Sequence, residues 1–411
     1  MGFGLIVQRQ REVLRASPSF RFLFGSTVIS GLGTWLAVIA LSVDVFDRTG
    51  SGVWVAALLI ADFLPAVAIG LLLGPLVDRL SRKRLLVGAD LLRLAAFVLL
   101  AFAVRPWQIV ALAFLAGIAT GFARPAVYAG LPNLVDAETL PRANSLLRTA
   151  EQLTVTTGTL LGGVLVAAAG PDLAYGLNAG SFAVSAALLV RIPGALLQEG
   201  KVVSHGHWRD IAEGLGAVRQ SRALLTVLVT WNLVQIGIAL VNVSEVVLAK
   251  VSFNAGDFGF GLMWTASGVG AAVGALFASS WLDRRSMTVV YGVAIALMAF
   301  GDLTAAVSPN VWVAVWCIVV GNLGTATAVV CNSLLVQRGA PDHLRGRAFT
   351  LIMGSNFAVL GVGMAIGGVL VNSVGARWVW GISAAFTALG ALVGYAMLRR
   401  APEGVLEPAA T

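Results

Sequence analysis

Long apolar runs alternate with short polar breaks along the whole chain. Each run is about the 20 residues that an α-helix needs to cross a bilayer. The pattern predicts twelve spans, over 20–46, 53–77, 85–104, 107–129, 146–170, 173–191, 223–250, 257–281, 287–307, 310–336, 347–373 and 376–398. What remains between them is too short for a soluble domain. The basic opening stretch, Met1 to Phe20, leads into a long span with no small-residue cleavage site. The first span is therefore expected to stay as an anchor rather than leave with a signal peptide.

Composition agrees with that pattern. Hydrophobic residues make up 58% of the 411 and charged ones 12%, against about 25% charged in soluble domains, and the mean hydropathy is +0.88. The formal charge of +8 does not call for nucleic acid, because basic loops facing anionic lipid give the same balance. Of the 28 Lys and Arg, only Arg48, Arg105, Lys250 and Arg377 fall on the side opposite the N-terminus, and Arg93 and Arg124 fall inside spans. By the positive-inside rule both termini are then cytoplasmic. Cys317 and Cys331 share one span, 14 residues or about 21 Å of helix rise apart, and cannot bridge. His205, His207 and His343 read as solvated loop residues.

The chain repeats itself at an offset of 205 residues. "GGVLV" occurs at Gly162–Val166 and again at Gly367–Val371. At the same offset Asp78-Arg79 falls on Asp283-Arg284, Trp107 on Trp312, Arg142-Ala143 on Arg347-Ala348, Gly170 on Gly375 and Gly176 on Gly381. Two parallel six-span repeats place a substrate site at the midplane, between halves that rock against each other. The expected organisation is a bundle over 1–191, a cytoplasmic linker over 192–222 and a second bundle over 223–411. Trp208, Ile211, Leu215 and Val218 recur at helical spacing in the linker, which predicts an amphipathic surface helix.

The stretch "GPLVDRLSRKRLL", Gly74 to Leu86, falls between spans 2 and 3. Gly74 lets a neighbouring helix approach, and the carboxylate of Asp78 suits the free N–H groups at a helix N-terminus. Arg79, Arg82, Lys83 and Arg84 are expected in the headgroup region. Here the chain resembles the major facilitator superfamily, whose signature in this loop is G-x-L-a-D-r-x-G-r-k, with Ser81 where that family has glycine. The resemblance implies an all-α integral membrane fold of twelve helices in two pseudo-symmetric six-helix bundles. It also implies a cytoplasmic latch formed by Gly74, Asp78, Arg79, Arg82 and Lys83.

Span 5 carries Gly158, Thr159, Gly162 and Gly163 where drug antiporters of that superfamily have G-P-x-x-G-G. Either an antiporter motif or plain small-residue packing fits these positions. "SFRFLFGSTVISGLG", "FARPAVYAGLPNLV" and "LPRANSL" resemble the subgroup that exports drugs, siderophores and secondary metabolites, and a lysophospholipid flippase branch shares that look.

Ionisable groups inside a span are functional candidates by default. Asp62 lies mid-span three residues before Pro65. Ser26, Ser30, Gly33, Ala37 and Asp44 form one stripe on span 1. Trp231, Asn232, Gln235, Asn242 and Glu245 form another on span 7, within about 140°. In the superfamily these helices border the cavity, so the stripes are expected to line it, with Ser30, Trp35, Trp231, Asn232, Gln235, Asn242 and Asn356 as substrate contacts. Asp62, Glu245 and Asp44 are the candidates for proton coupling. Asp90 reads as a structural ion pair with Arg93 or Arg124, Glu151 and Gln152 as an inner gate, and Asp302 as an interfacial charge.

The expectation is a plasma-membrane secondary transporter that exports an amphipathic small molecule in exchange for protons. A lysophospholipid transporter and a non-transporting sensor or scaffold are the alternatives. Its expected partners are the substrate, protons and bilayer lipids, with no nucleic acid; a monomer suffices. No cofactor or metal is called for, as no metal-ligand spacing, nucleophile–base pair or phosphate loop occurs, so an enzyme is not expected.

Overall fold

The computed structural model describes residues 13–14, 17–72, 80–197, 215–216, 218–341 and 344–399. Gly74, Asp78, Arg79, Trp208, Ile211 and the three histidines lie outside the described residues.

Among the described residues there are twelve long helices: α1 (Pro18–Thr49), α2 (Gly52–Leu72), α3 (Arg82–Leu100), α4 (Pro106–Gly130), α5 (Leu140–Ala169), α6 (Pro171–Val190), α7 (Arg222–Val247), α8 (Gly256–Arg284), α9 (Met287–Val307), α10 (Val311–Gly339), α11 (Arg345–Val374) and α12 (Ala376–Arg399). Eleven are long and apolar enough to cross a membrane. The exception is α3, whose start carries Arg82, Lys83 and Arg84 and whose middle carries Asp90 and Arg93.

Local sequence sets the helix ends. Pro106 and Pro171 open α4 and α6, where a missing N–H costs nothing. Asn310 caps α10 by accepting the Val313 N–H at 3.1 Å. Gly170 and Gly375, 205 residues apart, make the tight turns α5–α6 and α11–α12 with φ of 76° and 82°, a region glycine enters without steric cost.

The helices group into two units, Met1–Thr49 with Leu58–Val203, and Gly50–Ala57 with Ser204–Thr411. In the first unit α1 packs on α5 and α6, and α3 on α4 and α6. In the second, α7 packs on α11 and α12, and α9 on α10 and α12. These are the same pairings shifted by one repeat. Small residues make the close approaches, as expected where lipid supplies no hydrophobic drive between helices. A β-carbon on Gly158 or Gly162 of α5 would come within 2.8 Å of Trp35 Cβ or the Leu36 carbonyl on α1. Their counterparts Gly363 and Gly367 of α11 face Ala239 and Leu240 on α7, at 2.7 and 3.2 Å.

The first residues of α2 count with the second unit. There the Asn372 amide oxygen accepts the Gly52 N–H at 2.7 Å, and its amide nitrogen donates to Ser51 Oγ at 2.9 Å.

Candidate functional site

A cavity of about 460 Å³ opens inside the first unit. Hydroxyls from α1 line one wall; Ser30 and Thr34 each return a hydrogen bond to the carbonyl four residues back, at 2.7 Å. These bonds keep the hydroxyls satisfied in an apolar setting. Trp35 stands beside them. The other walls bring in ionisable groups: Asp90 and Arg93 from α3, Arg124 from α4, and Arg148 and Glu151 from α5.

Asp90 and Arg93, one turn apart, form a salt bridge of 2.5 Å. Ser185 of α6 donates to the second Asp90 oxygen at 2.5 Å, and the Arg93 guanidinium lies 4.5 Å from the centre of the Phe182 ring. Asp90 is 1% exposed, so the pair is a desolvated one held by additional polar contacts, the arrangement such a pair needs. Arg124, the alternative partner, lines the same cavity without joining the bridge. Further along, Glu151 accepts the Tyr128 hydroxyl at 2.7 Å, and the Arg148 guanidinium sits 5.3 Å from the centre of the Tyr128 ring.

Of the coupling candidates, Asp62 is not on the cavity wall; it is half-buried on α2 within electrostatic reach of Arg93. Its carbonyl is pressed against Gly117 of α4. One repeat later the same pair of positions is Ser267 and Asn322, joined by a hydrogen bond of 3.2 Å. Asp44 also departs from its expected place. It bridges Arg48 at 2.6 Å and accepts the Tyr175 hydroxyl of α6 at 2.9 Å, while Arg48 also donates to the Ala103 carbonyl in the turn between α3 and α4. The span 1 stripe thus divides. Gly33, Ala37 and Asp44 turn away from the cavity, Gly33 against Ser181 and Asn178 of α6, while Ser26 and Ser30 line it. A 100° turn per residue puts neighbours of one broad stripe on different partners.

In the second unit Glu245 is 3% exposed and lies within electrostatic reach of Asp302. Asp302, five residues before the end of α9, accepts the Ser383 hydroxyl of α12 at 2.8 Å. Trp231 is a core residue, buried in one apolar cluster with Tyr291 and Val290. Asn232 is tied to Ser355 of α11 at 2.9 Å, Gln235 and Asn356 are buried, and Asn242 is half-buried. Two of the cations that open α3 bond to backbone carbonyls. Arg82 donates to the Leu197 carbonyl at 3.0 Å and Lys83 to the Val190 carbonyl at 2.7 Å, fastening the end of α6. Thr159 is fully buried and donates to the Val155 carbonyl at 2.9 Å; Gly163 is buried beside it.

Sequence reasoning missed Arg48, Tyr128, Tyr175 and Ser185. Only Arg48 left a signal, standing four residues after Asp44 on one helix.

A family model described as a transmembrane secretion effector matches residues 14–408. The chain belongs to the transmembrane secretion effector family of major facilitator transporters. Its similarity to the multidrug efflux pump Tap of Mycolicibacterium fortuitum is 28% identity over 88% of this chain and 91% of that one. Similarity to the macrolide efflux protein A of Streptococcus pyogenes is 21% over 87% and 90%. Among solved structures, a bacterial homologue of the iron transporter ferroportin superposes with a TM-score of 0.75 at 16% identity, covering 93% of this chain and 99% of that one. A bacterial homologue of the lysosomal transporter Spinster gives 0.75 at 10%, over 95% and 99%. The secretion effector fold is thus that of multi-pass membrane transporters rather than of enzymes.

Proposed function

We propose that this transporter exports an amphipathic small molecule across the plasma membrane in exchange for protons, with both termini cytoplasmic. The observation that carries the reading is the cavity of the first unit, where hydroxyls, an aromatic ring and five ionisable side chains meet within a helical bundle. Charge at membrane depth is costly and is kept where it serves transport. The names of the relatives, a multidrug pump and a macrolide efflux protein, support the outward direction.

Asp62 and Glu245 are the proposed proton carriers, since each is an acid within a span that lacks a salt bridge among the described residues. Asp44 is set aside because Arg48 already neutralises it. Asp78 is proposed as the latch. The test is accumulation of dyes and antibiotics by cells expressing the chain, with and without a protonophore. Reduced accumulation that the protonophore reverses is expected. Accumulation unaffected by expression overturns export, and export indifferent to the protonophore overturns coupling.

A second reading, transport of a lysophospholipid, is favoured by one feature. The second unit holds a hollow of about 400 Å³ lined by Leu240, Val362, Ile366 and Phe386 among other apolar side chains, a lining that suits an acyl chain. Movement of labelled lysophospholipid without drug resistance would select it.

A further inference from the structure

We propose that Arg124 and Arg148 form an oxyanion-binding end of the first-unit cavity, taking a carboxylate or phosphate on the exported molecule. This deepens the export reading and rests on it for the identity of the cargo.

Five charged side chains line the cavity, three guanidiniums and two carboxylates. Arg93 is neutralised by Asp90, which also takes the Ser185 hydroxyl. Glu151 is engaged by the Tyr128 hydroxyl. Neither Arg124 nor Arg148 forms a salt bridge among the described residues, and both side chains are exposed to the cavity. The excess at this end of the cavity is therefore positive.

The geometry favours recognition over mere charge. Tyr128, anchored by Glu151, offers its ring face to Arg148, and such stacking fixes a guanidinium while leaving its N–H edge free to donate. A second guanidinium on α4 lines the same cavity, and guanidiniums match carboxylate or phosphate oxygens in bidentate fashion. Thr120 adds a neutral hydroxyl on the same helix, one turn before Arg124, and Trp35 a surface for an apolar body. A cationic molecule would meet like charge here. The equivalent positions one repeat later, Val329 and Met353, carry no charge at all, so this end is a property of the first half alone.

The experiment is equilibrium binding of 1-naphthoate, 1-naphthyl phosphate and the neutral 1-naphthamide to the full-length chain in detergent, with no gradient present. Naphthoate or naphthyl phosphate is expected to bind at least tenfold tighter than naphthamide. Arg124→Gln and Arg148→Gln should each remove most of that advantage without changing naphthamide affinity, and Arg124→Lys should keep part of it. Equal affinity for acid and amide overturns the proposal, as does a folded Arg124→Gln/Arg148→Gln double variant that still prefers the acid. Where a glutamine variant does not fold, the unaltered chain decides: acid binding must weaken as salt screens the charges, and salt-independent binding overturns the site. Competition by lysophosphatidylglycerol against 1-naphthyl phosphate separates a lipid headgroup from a soluble phosphate. Acid binding that persists while export ignores a protonophore removes the antiport reading alone.

Discussion

The hydroxyl of Tyr175 donates to Asp44 across 131 residues of sequence, at 2.9 Å, and Arg48 closes on the other oxygen of the same carboxylate at 2.6 Å. The three side chains fasten α1 to α6, and Arg48 extends the tie to the turn between α3 and α4.

Tyr175→Phe removes a buried hydrogen bond to a charged group, which is worth about 1.5–3 kcal/mol. The melting temperature in detergent is expected to fall, while protonophore-sensitive export continues. Asp44→Asn should behave likewise. Loss of proton coupling at unchanged stability would return Asp44 to the list of carriers.

The Asp90–Arg93 bridge predicts non-additivity. Removing one partner of a buried pair leaves an uncompensated charge and costs about 3–5 kcal/mol. Asp90→Asn and Arg93→Gln should therefore each destabilise more than the double variant does. A double-mutant cycle read by thermal unfolding gives the coupling, and simple additivity would show that the two side chains do not depend on each other.

Gly158 and Gly162 leave no space for a side chain against α1. Gly162→Leu is expected to cost at least the 1–3 kcal/mol typical of overpacking, and the amount of folded protein recovered after extraction should drop. Gly176, where an added β-carbon meets nothing within 4 Å, is the control: Gly176→Ala should leave the yield unchanged.

Asn372 caps the first N–H of α2, that of Gly52. Losing a side-chain cap costs about 0.5–2 kcal/mol. Asn372→Ala should lower the unfolding temperature modestly, and Asn372→Asp, which retains an acceptor, should recover much of it. Equal effects of the two substitutions would show that the cap contributes nothing.

Much of the fold is legible in hydropathy alone. The ninth predicted span, 287–307, coincides with α9, and 107–129 lies one residue inside α4 at each end. Departures have separate causes, since hydropathy registers hydrocarbon whereas helix ends follow local capping and turn residues. α5 begins at Leu140 rather than 146 because "LPRANS" is polar yet helical, and α3 stops at Leu100, short of 104, where the chain turns ahead of Pro106. The site was less legible. Asp90 with Arg93 and Asp44 with Arg48 are neighbours on one helix and readable by spacing. Tyr175 and Ser185 join those acids from α6, about 95 to 131 residues away, a distance no periodicity reports. Trp231 looked like a ligand contact because one helical face admits both core and cavity.

The cavity of the first unit has a consequence for how the duplication aged. Asp90, Arg93, Arg124 and Arg148 correspond, 205 positions on, to Ile295, Met298, Val329 and Met353. Paired glycines and matching turns occur in both halves, but these four positions carry charge in the first half alone. Tolerance to substitution in either half is thus no guide to its twin.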